Sequence, residues 1–293
     1  MKKTKIVYTG FDELDNLIGG LRGGQVVVIA GRPGMGKRTF ATNIAINNSI
    51  KAEDGVYLYS LEASTREYIK RIISLIGEID LEKMNDGKLD DKGWEKIIDA
   101  ANKIGNSRLI IDDNFHKFSY DYFCDTLRKL AKEKKVSLAI IDYIQLMGDH
   151  DRFGFFYYSR YSSMRFGFGL LIEGLKELSR KLNIPIIILS QITRRCEKEL
   201  DMDHHPILSD LDHVGFPTYY ADMVLFVYRE NYYLEEWNRL LDHETIQKNK
   251  SVDKYTDAEI IVAKHPTIVE TPVTVHLSFN PYRGGFKNLK NFS

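Results

Sequence analysis

The run Gly31-Arg32-Pro33-Gly34-Met35-Gly36-Lys37 has the spacing G-x-x-x-x-G-K, and its chemistry is that of an anion cradle. Glycines let backbone N–H groups close around phosphate oxygens, and the lysine adds a charge that reaches the outer phosphates. The pattern has this meaning only between a strand and a helix. Here the apolar run Gln25–Ala30 precedes it and a helical pattern from Gly36 to Asn48 follows, so the helix N-terminus also favours an anion. The next residue departs from the pattern: Arg38 stands where a Ser or Thr hydroxyl ordinarily holds Mg²⁺, with Thr39 one place later. One residue turns a helix by about 100°, so Thr39 does not inherit that position. A guanidinium is a permanent cation and cannot ligate a metal. Gly31, Arg32, Pro33, Gly34, Met35, Gly36, Lys37, Arg38 and Thr39 are therefore expected to bind nucleotide phosphates, with Mg²⁺ bound but weakened.

Two carboxylates end apolar runs and complete the candidate chemistry. Asp142 closes Leu138–Asp142 and is placed to hold a Mg²⁺ shell; its structural alternative is a helix cap or turn former. Glu62 follows the strand after the loop's helix and could polarise an attacking water, or simply place negative charge at the start of the next helix.

The elements that must position these groups can be read from hydrophobic periodicity. Gln25–Ala30, Gly55–Ser60, Arg108–Asp112, Leu138–Asp142 and Ile184–Ser190 read as buried strands. They alternate with helices predicted near Gly36–Asn48, Ser64–Ile76, Asp91–Ile104, Ser119–Lys134 and Phe166–Leu182. This alternation predicts an α/β fold: a mainly parallel twisted sheet with helices on both faces. Met223–Tyr228, Ala258–Ala263 and Val273–Phe279 lack long intervening helices and predict antiparallel C-terminal strands. The charged stretch Asn231–Thr256 is expected to be an exposed helix or loop between two of them.

Composition narrows the class. The chain has 293 residues, 43% hydrophobic and 28% charged, enough apolar material for a sizeable core. Lys plus Arg equals Asp plus Glu at 41 each, so any nucleic-acid contact must come from a local basic patch. Cys124 and Cys196 are too few and too far apart for a disulfide framework or four-ligand zinc site, which fits a reducing compartment. No apolar stretch is long enough for a membrane span, and the start MKKTK leads into no signal-peptide core, so the reading is cytoplasmic.

Together these segments resemble the RecA-like motor domain of the DnaB family of replicative helicases, a P-loop NTPase fold. The resemblance includes Thr9–Asp15, the Arg32–Lys37 loop, Ser60-Leu61-Glu62, Ile141–Met147 and Leu189-Ser190-Gln191. It continues through Ser209-Asp210-Leu211, the Ala221–Arg229 strand and Ala258–Lys264. It implies that Lys37 binds phosphates, Glu62 activates water, Asp142 coordinates Mg²⁺ through its shell, and Gln191 senses the γ-phosphate and relays it toward DNA. It also implies ATP or another NTP bound between subunits of a homo-oligomeric ring, single-stranded DNA as partner, and action in DNA replication. Without it, Gln191 reads as a hydrogen-bonding strand end and Lys264 as a solvated edge charge. The expected layout is an N-terminal arm over residues 1–22 leading into a motor domain over 23–293, with no N-terminal primase-binding collar.

Several positions depart from the family. Its neighbour-supplied K-x-R segment reads Lys264-His265-Pro266, so the lysine is kept and the arginine is lost. An arginine finger is worth roughly 10³ to 10⁵ in rate, so hydrolysis is expected to be slow unless Arg38 or Arg283 substitutes. The DNA-facing loop Ser209–Gly215 carries Asp212 in place of an arginine, leaving the Gly215 backbone with Arg194 and Arg195 as candidate DNA contacts. Half of the residues from Phe153 to Phe168 are aromatic, with arginines interleaved, which suits a subunit or partner contact better than base stacking; a buried aromatic cluster is the alternative. Asp201, Asp203, His204 and His205 suggest a metal by composition but read as a solvated loop. The primary reading is a DnaB-like helicase-type ATPase motor. The alternative is a catalytically impaired paralogue that binds nucleotide or regulates a helicase without turnover.

Overall fold

Strands buried on both faces must be apolar throughout, and the apolar runs of this chain assemble accordingly. The structure is a computed structural model that describes residues 5–52, 54–114, 120–147, 160–192, 204–212, 218–232 and 255–289. In chain order the elements are β1 (Ile6–Val7), α1 (Asp12–Ile18), β2 (Leu21–Arg22), β3 (Val26–Gly31), α2 (Lys37–Ile46) with a π-helical extension Asn47–Lys51, and β4 (Val56–Ser60). There follow α3 (Thr65–Gly77), α4 (Leu81–Asn85), α5 (Asp91–Gly105), β5 (Leu109–Asp112), α6 (Tyr120–Lys132), β6 (Leu138–Asp142), α7 (Arg160–Leu182) and β7 (Ile186–Gln191). The last are α8 (Leu208–Asp212), β8 (Met223–Tyr228), β9 (Thr256–Lys264), β10 (Val273–Asn280) and β11 (Gly285–Asn288).

The nine-stranded sheet has the order β11-β10-β9-β8-β3-β7-β6-β4-β5. From β8 to β5 the pairings are parallel, and β9, β10 and β11 extend the sheet antiparallel. Alternation along the strands divides the core in two. Val26, Val28, Tyr57, Tyr59, Ile141 and Ile188 face α6 and α7. Val27, Ile29, Leu58, Ile140 and Leu189 face α1 and α2, where Phe40 is fully buried between Phe11 and Phe286. Residues before β3 belong to this second face, since Val7, Phe11, Leu14, Ile18 and Leu21 are all buried in it.

The predicted strands all form, with ends that differ by a residue or two. Helix α7 begins at Arg160, six residues before the predicted start at Phe166. Ser162, Ser163 and Gly167 weaken the helical signal there, and a helix once nucleated by its packed later turns extends through residues of modest propensity. The helices α1, α4 and α8, and the short strands β1, β2 and β11, carry too little periodicity to be anticipated. Most of the charged stretch, 233–254, lies outside the described residues, as do Arg194, Arg195, Gly215, Cys196, Asp201 and Asp203, and 153–159 of the aromatic segment. The last aromatic of that segment, Phe168, is buried in the core on the α7 face.

Register sets the site. Gly31 of β3 lies beside Gln191 of β7, and Ser60 of β4 lies beside Asp142 of β6. The polar ends of four strands thus reach one rim of the sheet, where strand order reverses and open α/β sheets bind ligands. Because Phe40 joins α2 to α1 and β11 beneath that rim, Phe40→Ala should cost about 3–5 kcal/mol. Urea unfolding of the variant beside the parent would measure it, and a loss below about 1 kcal/mol would show that this junction relaxes around the cavity.

Candidate nucleotide site

Gly36 has φ 98° at the N-cap of α2, and no side chain caps that helix. The left-handed backbone there favours glycine, and a Cβ at Gly36 would also stand a tight 3.1 Å from the Phe286 ring. An uncapped helix start leaves its first N–H groups for a ligand or water, and here they face a cavity of about 410 Å³. The cavity is lined by loop residues from Pro33 to Thr39 (Met35 excepted), by Glu62, Asp142 and Gln191, and also by Arg71 and Arg283.

The loop is held from below. Arg229, just past β8, donates from Nη2 to Gly34 O at 2.7 Å and from Nε to Met35 O at 3.2 Å, with its guanidinium 4.1 Å from the Phe279 ring centroid. Met35, buried at 1% exposure, anchors the loop in the core. Lys37 Nζ donates to Arg32 O at 2.8 Å, which spends one of its three donors on its own loop. Burial pulls the Lys37 ammonium down to about 8, with Asp142 acting in the opposite sense.

Glu62 is placed by a tightly bonded turn. Leu61 N–H donates to Asp142 O at 2.6 Å, Ser60 Oγ donates to Ala63 O at 2.6 Å, and Ser64 with Glu67 forms a reciprocal capping box on α3. Asp142 and Glu62 then share a partner. Arg38 Nε donates to Asp142 Oδ2 at 2.5 Å and its Nη2 donates to Glu62 Oε2. The buried Tyr68 hydroxyl, from α3, donates to the same Asp142 oxygen. Burial opposes the Arg38 charge, but Asp142, Tyr68 and Glu62 together hold its pKa above the ordinary arginine value. Tyr68 is pushed well above the ordinary phenol range by burial and by the Asp142 charge.

Thr39 and Thr42 both line the cavity, and Thr42 Oγ1 donates to Arg38 O at 2.7 Å. Gln191 lines the cavity, and its carbonyl accepts from Gln145 Nε2 at 3.3 Å, which also donates to Ser190 Oγ at 2.7 Å. Lys264 does not line the cavity. It donates to Thr218 O and Tyr219 O at 3.0 and 3.1 Å, and burial together with Lys176 lowers its pKa. His265 accepts Thr267 and Ile268 N–H groups at Nδ1 and meets Ile18 O through Nε2, so both ring nitrogens are used in holding the turn. Arg283 lines the cavity and pairs with Glu78 at 3.6 Å. His205 pairs with Glu259 at 3.1 Å and packs on Tyr228, and among the described residues no three or more His, Cys, Asp or Glu side chains cluster as a metal site would require.

Of the residues named from the sequence, the structure brings together the loop, Lys37, Glu62, Asp142 and Gln191, and leaves Lys264 apart. Sequence reading did not single out Tyr68, Arg71 or Arg229. Tyr68 lies on the buried face of an amphipathic helix, where an aromatic reads as packing, and Arg229 carries no spacing signal of its own.

Residues 7–288 match the family model described as DnaB-like helicase C terminal domain. The chain belongs to this family. It is 31% identical over 283 residues to the replicative DNA helicase DnaB of Geobacillus stearothermophilus, covering 96% of this chain and 56% of that protein. With the DnaB of Rickettsia typhi it shares 32% identity over 273 residues, covering 88% and 52%. The chain therefore spans about half the length of these DnaB relatives. Among solved structures, one described as an ATPase domain superposes with a TM-score of 0.78 at 32% identity, covering 97% of this chain and 91% of that one. A DnaB-like replicative helicase solved for its interactions with primase gives the same score and identity over 62% of its chain. A KaiC-like protein of Pyrococcus horikoshii, at 14% identity and TM-score 0.55, shares the RecA-like fold alone. Among the described residues no helix is long and apolar enough to cross a membrane.

The Lys37 environment has a pH signature. Its proton is held near pH 8 in the folded protein against an ordinary value of 10.5, so the unfolded chain binds it more tightly. Below pH 8 the folded state bears the full cost of the buried charge, and it recovers stability as pH rises from 8 toward 10.5. Denaturation of the parent and Lys37→Met across that range should show the variant's advantage shrinking as pH rises. An advantage that stays constant would mean Lys37 titrates normally.

Proposed function

We propose that this chain is a DnaB-like helicase-type ATPase motor that binds ATP, or another NTP, in the cavity beside Lys37 and acts on single-stranded DNA in replication. The observation that carries this reading is the convergence of an uncapped, glycine-built loop with Lys37, Glu62, Asp142 and Gln191 on one cavity, in a chain of this family. The nucleotide would supply the phosphoanhydride whose cleavage powers movement. Lys37 and the first N–H groups of α2 bind phosphate, and the loop glycines keep the backbone close to it. Glu62 takes a proton from water, and Gln191 reports the phosphate state along β7 to Arg194, Arg195 and the Gly215 loop as DNA contacts.

The active assembly is a homo-oligomeric ring with nucleotide between protomers, supported by the position of Lys264 away from its own cavity. A lysine that cannot serve its own site is available to a neighbour's. The residue two places on is Pro266, and His265 is committed to its turn, so this segment offers one trans cation rather than two. Other replication proteins are natural partners of such a ring, and the working compartment is the cytoplasm. Magnesium use is weakened, because Asp142 and Glu62 already share Arg38.

Steady-state ATPase assays with and without single-stranded DNA test the motor. Turnover should rise with DNA, disappear in Lys37→Ala, and fall by about 10²–10⁴ in Glu62→Gln. Nucleotide binding with background turnover in the intact chain would instead indicate the impaired paralogue.

A further inference from the structure

The proposed motor gives the guanidinium of Arg38, in the phosphate loop, no task of its own. Arg38 lies in the first turn of α2, whose partial positive charge already attracts anions, yet its side chain turns toward Asp142 and Glu62 and is 23% exposed. Four segments meet here: α2 supplies the guanidinium, β6 and the turn after β4 supply the carboxylates, and α3 supplies Tyr68, whose ring centroid is 5.9 Å from the Arg38 guanidinium carbon.

This arrangement does not fit a divalent cation in the usual place. Mg²⁺ requires oxygen ligands in near-octahedral geometry. Here the loop hydroxyl is replaced by a cation, and Asp142 Oδ2 already accepts both Arg38 Nε and the Tyr68 hydroxyl. A dication at this carboxylate would sit against a guanidinium that cannot lose its proton.

Guanidinium has five N–H donors, two of which are spent on the carboxylates. Its other donors belong to a side chain that lines the cavity, and a guanidinium fork suits phosphate oxygens as well as it suits carboxylates.

Resting on the nucleotide-site reading above, we infer that Arg38 is a built-in counter-cation for the bound polyphosphate, so that this site binds nucleotide without a divalent metal. The guanidinium bridges acid pair and phosphates as a metal ion would.

Calorimetric titration of the full chain with ADP and with ATPγS, in EDTA and in excess Mg²⁺, tests this. The unmodified chain should bind with affinities that differ by less than about threefold between the two buffers. Arg38→Thr, which restores a hydroxyl and frees both acids, should lose at least about tenfold in EDTA and recover in Mg²⁺. Arg38→Lys keeps a charge and a long stem but loses the fork, so it serves as the second variant should the threonine chain fail to fold, and it should also acquire Mg²⁺ dependence. A tenfold or greater loss of the unmodified chain's affinity in EDTA would overturn the counter-cation role alone, as would an Arg38→Thr chain indifferent to Mg²⁺. Absence of binding in both buffers would instead overturn the nucleotide site itself.

Discussion

The side-by-side register of β3, β7, β6 and β4 is the constraint on which the rest of the molecule depends. These strands are buried on both faces, so their interiors carry aliphatic side chains and the packed rings of Tyr57 and Tyr59, and charged groups are displaced to the rim where the strands end. A slip of one residue in any pairing would turn that strand's Val and Ile side chains onto the wrong layer of the core. Packing thus enforces the level at which Gly31, Ser60, Asp142 and Gln191 emerge. The hydrogen bonds of the site refine a geometry that hydrophobic burial has already imposed.

On that rim, local bonding converts strand ends into a site. The turn from Ser60 to Ser64 is fixed by the Ser60 hydroxyl and by the α3 capping box, which leaves Glu62 facing Asp142 across the Arg38 guanidinium. A buried pair broken on one side leaves an uncompensated charge, so Asp142 with its two donors is more tightly determined than the half-exposed Glu62. The electrostatic centre is accordingly the Asp142 carboxylate with a guanidinium and a phenol donating to it, and Glu62 is the member most open to change.

Much of this was legible from residue types. Fully buried parallel strands read as unbroken apolar runs, and Leu138–Asp142 and Met223–Tyr228 have the predicted boundaries. The loop is legible because glycine, proline and lysine are fixed by conformation and charge. Arg38 could be recognised as an intruder, but its contacts depend on the distance between the first turn of α2 and the end of β6, which no local spacing encodes. Tyr68 was invisible for a different reason: its ring packs as a core residue and only its hydroxyl belongs to the site. The pieces β1, β2 and β11 are too short for alternation to be counted, and they exist because neighbouring segments offer them a pairing partner.

Arg229 gives the loop a second attachment whose meaning lies outside the cavity. Its guanidinium grips the carbonyls of Gly34 and Met35 while its backbone continues directly from β8. The cradle is therefore yoked to the strand that borders the antiparallel half of the sheet, as well as to β3 and α2. Any pull on the chain leaving β8 is delivered to the loop through two hydrogen bonds, and any shift of the loop is returned along the same tether. That linkage couples the position of the loop to the boundary between the parallel and antiparallel parts of the sheet.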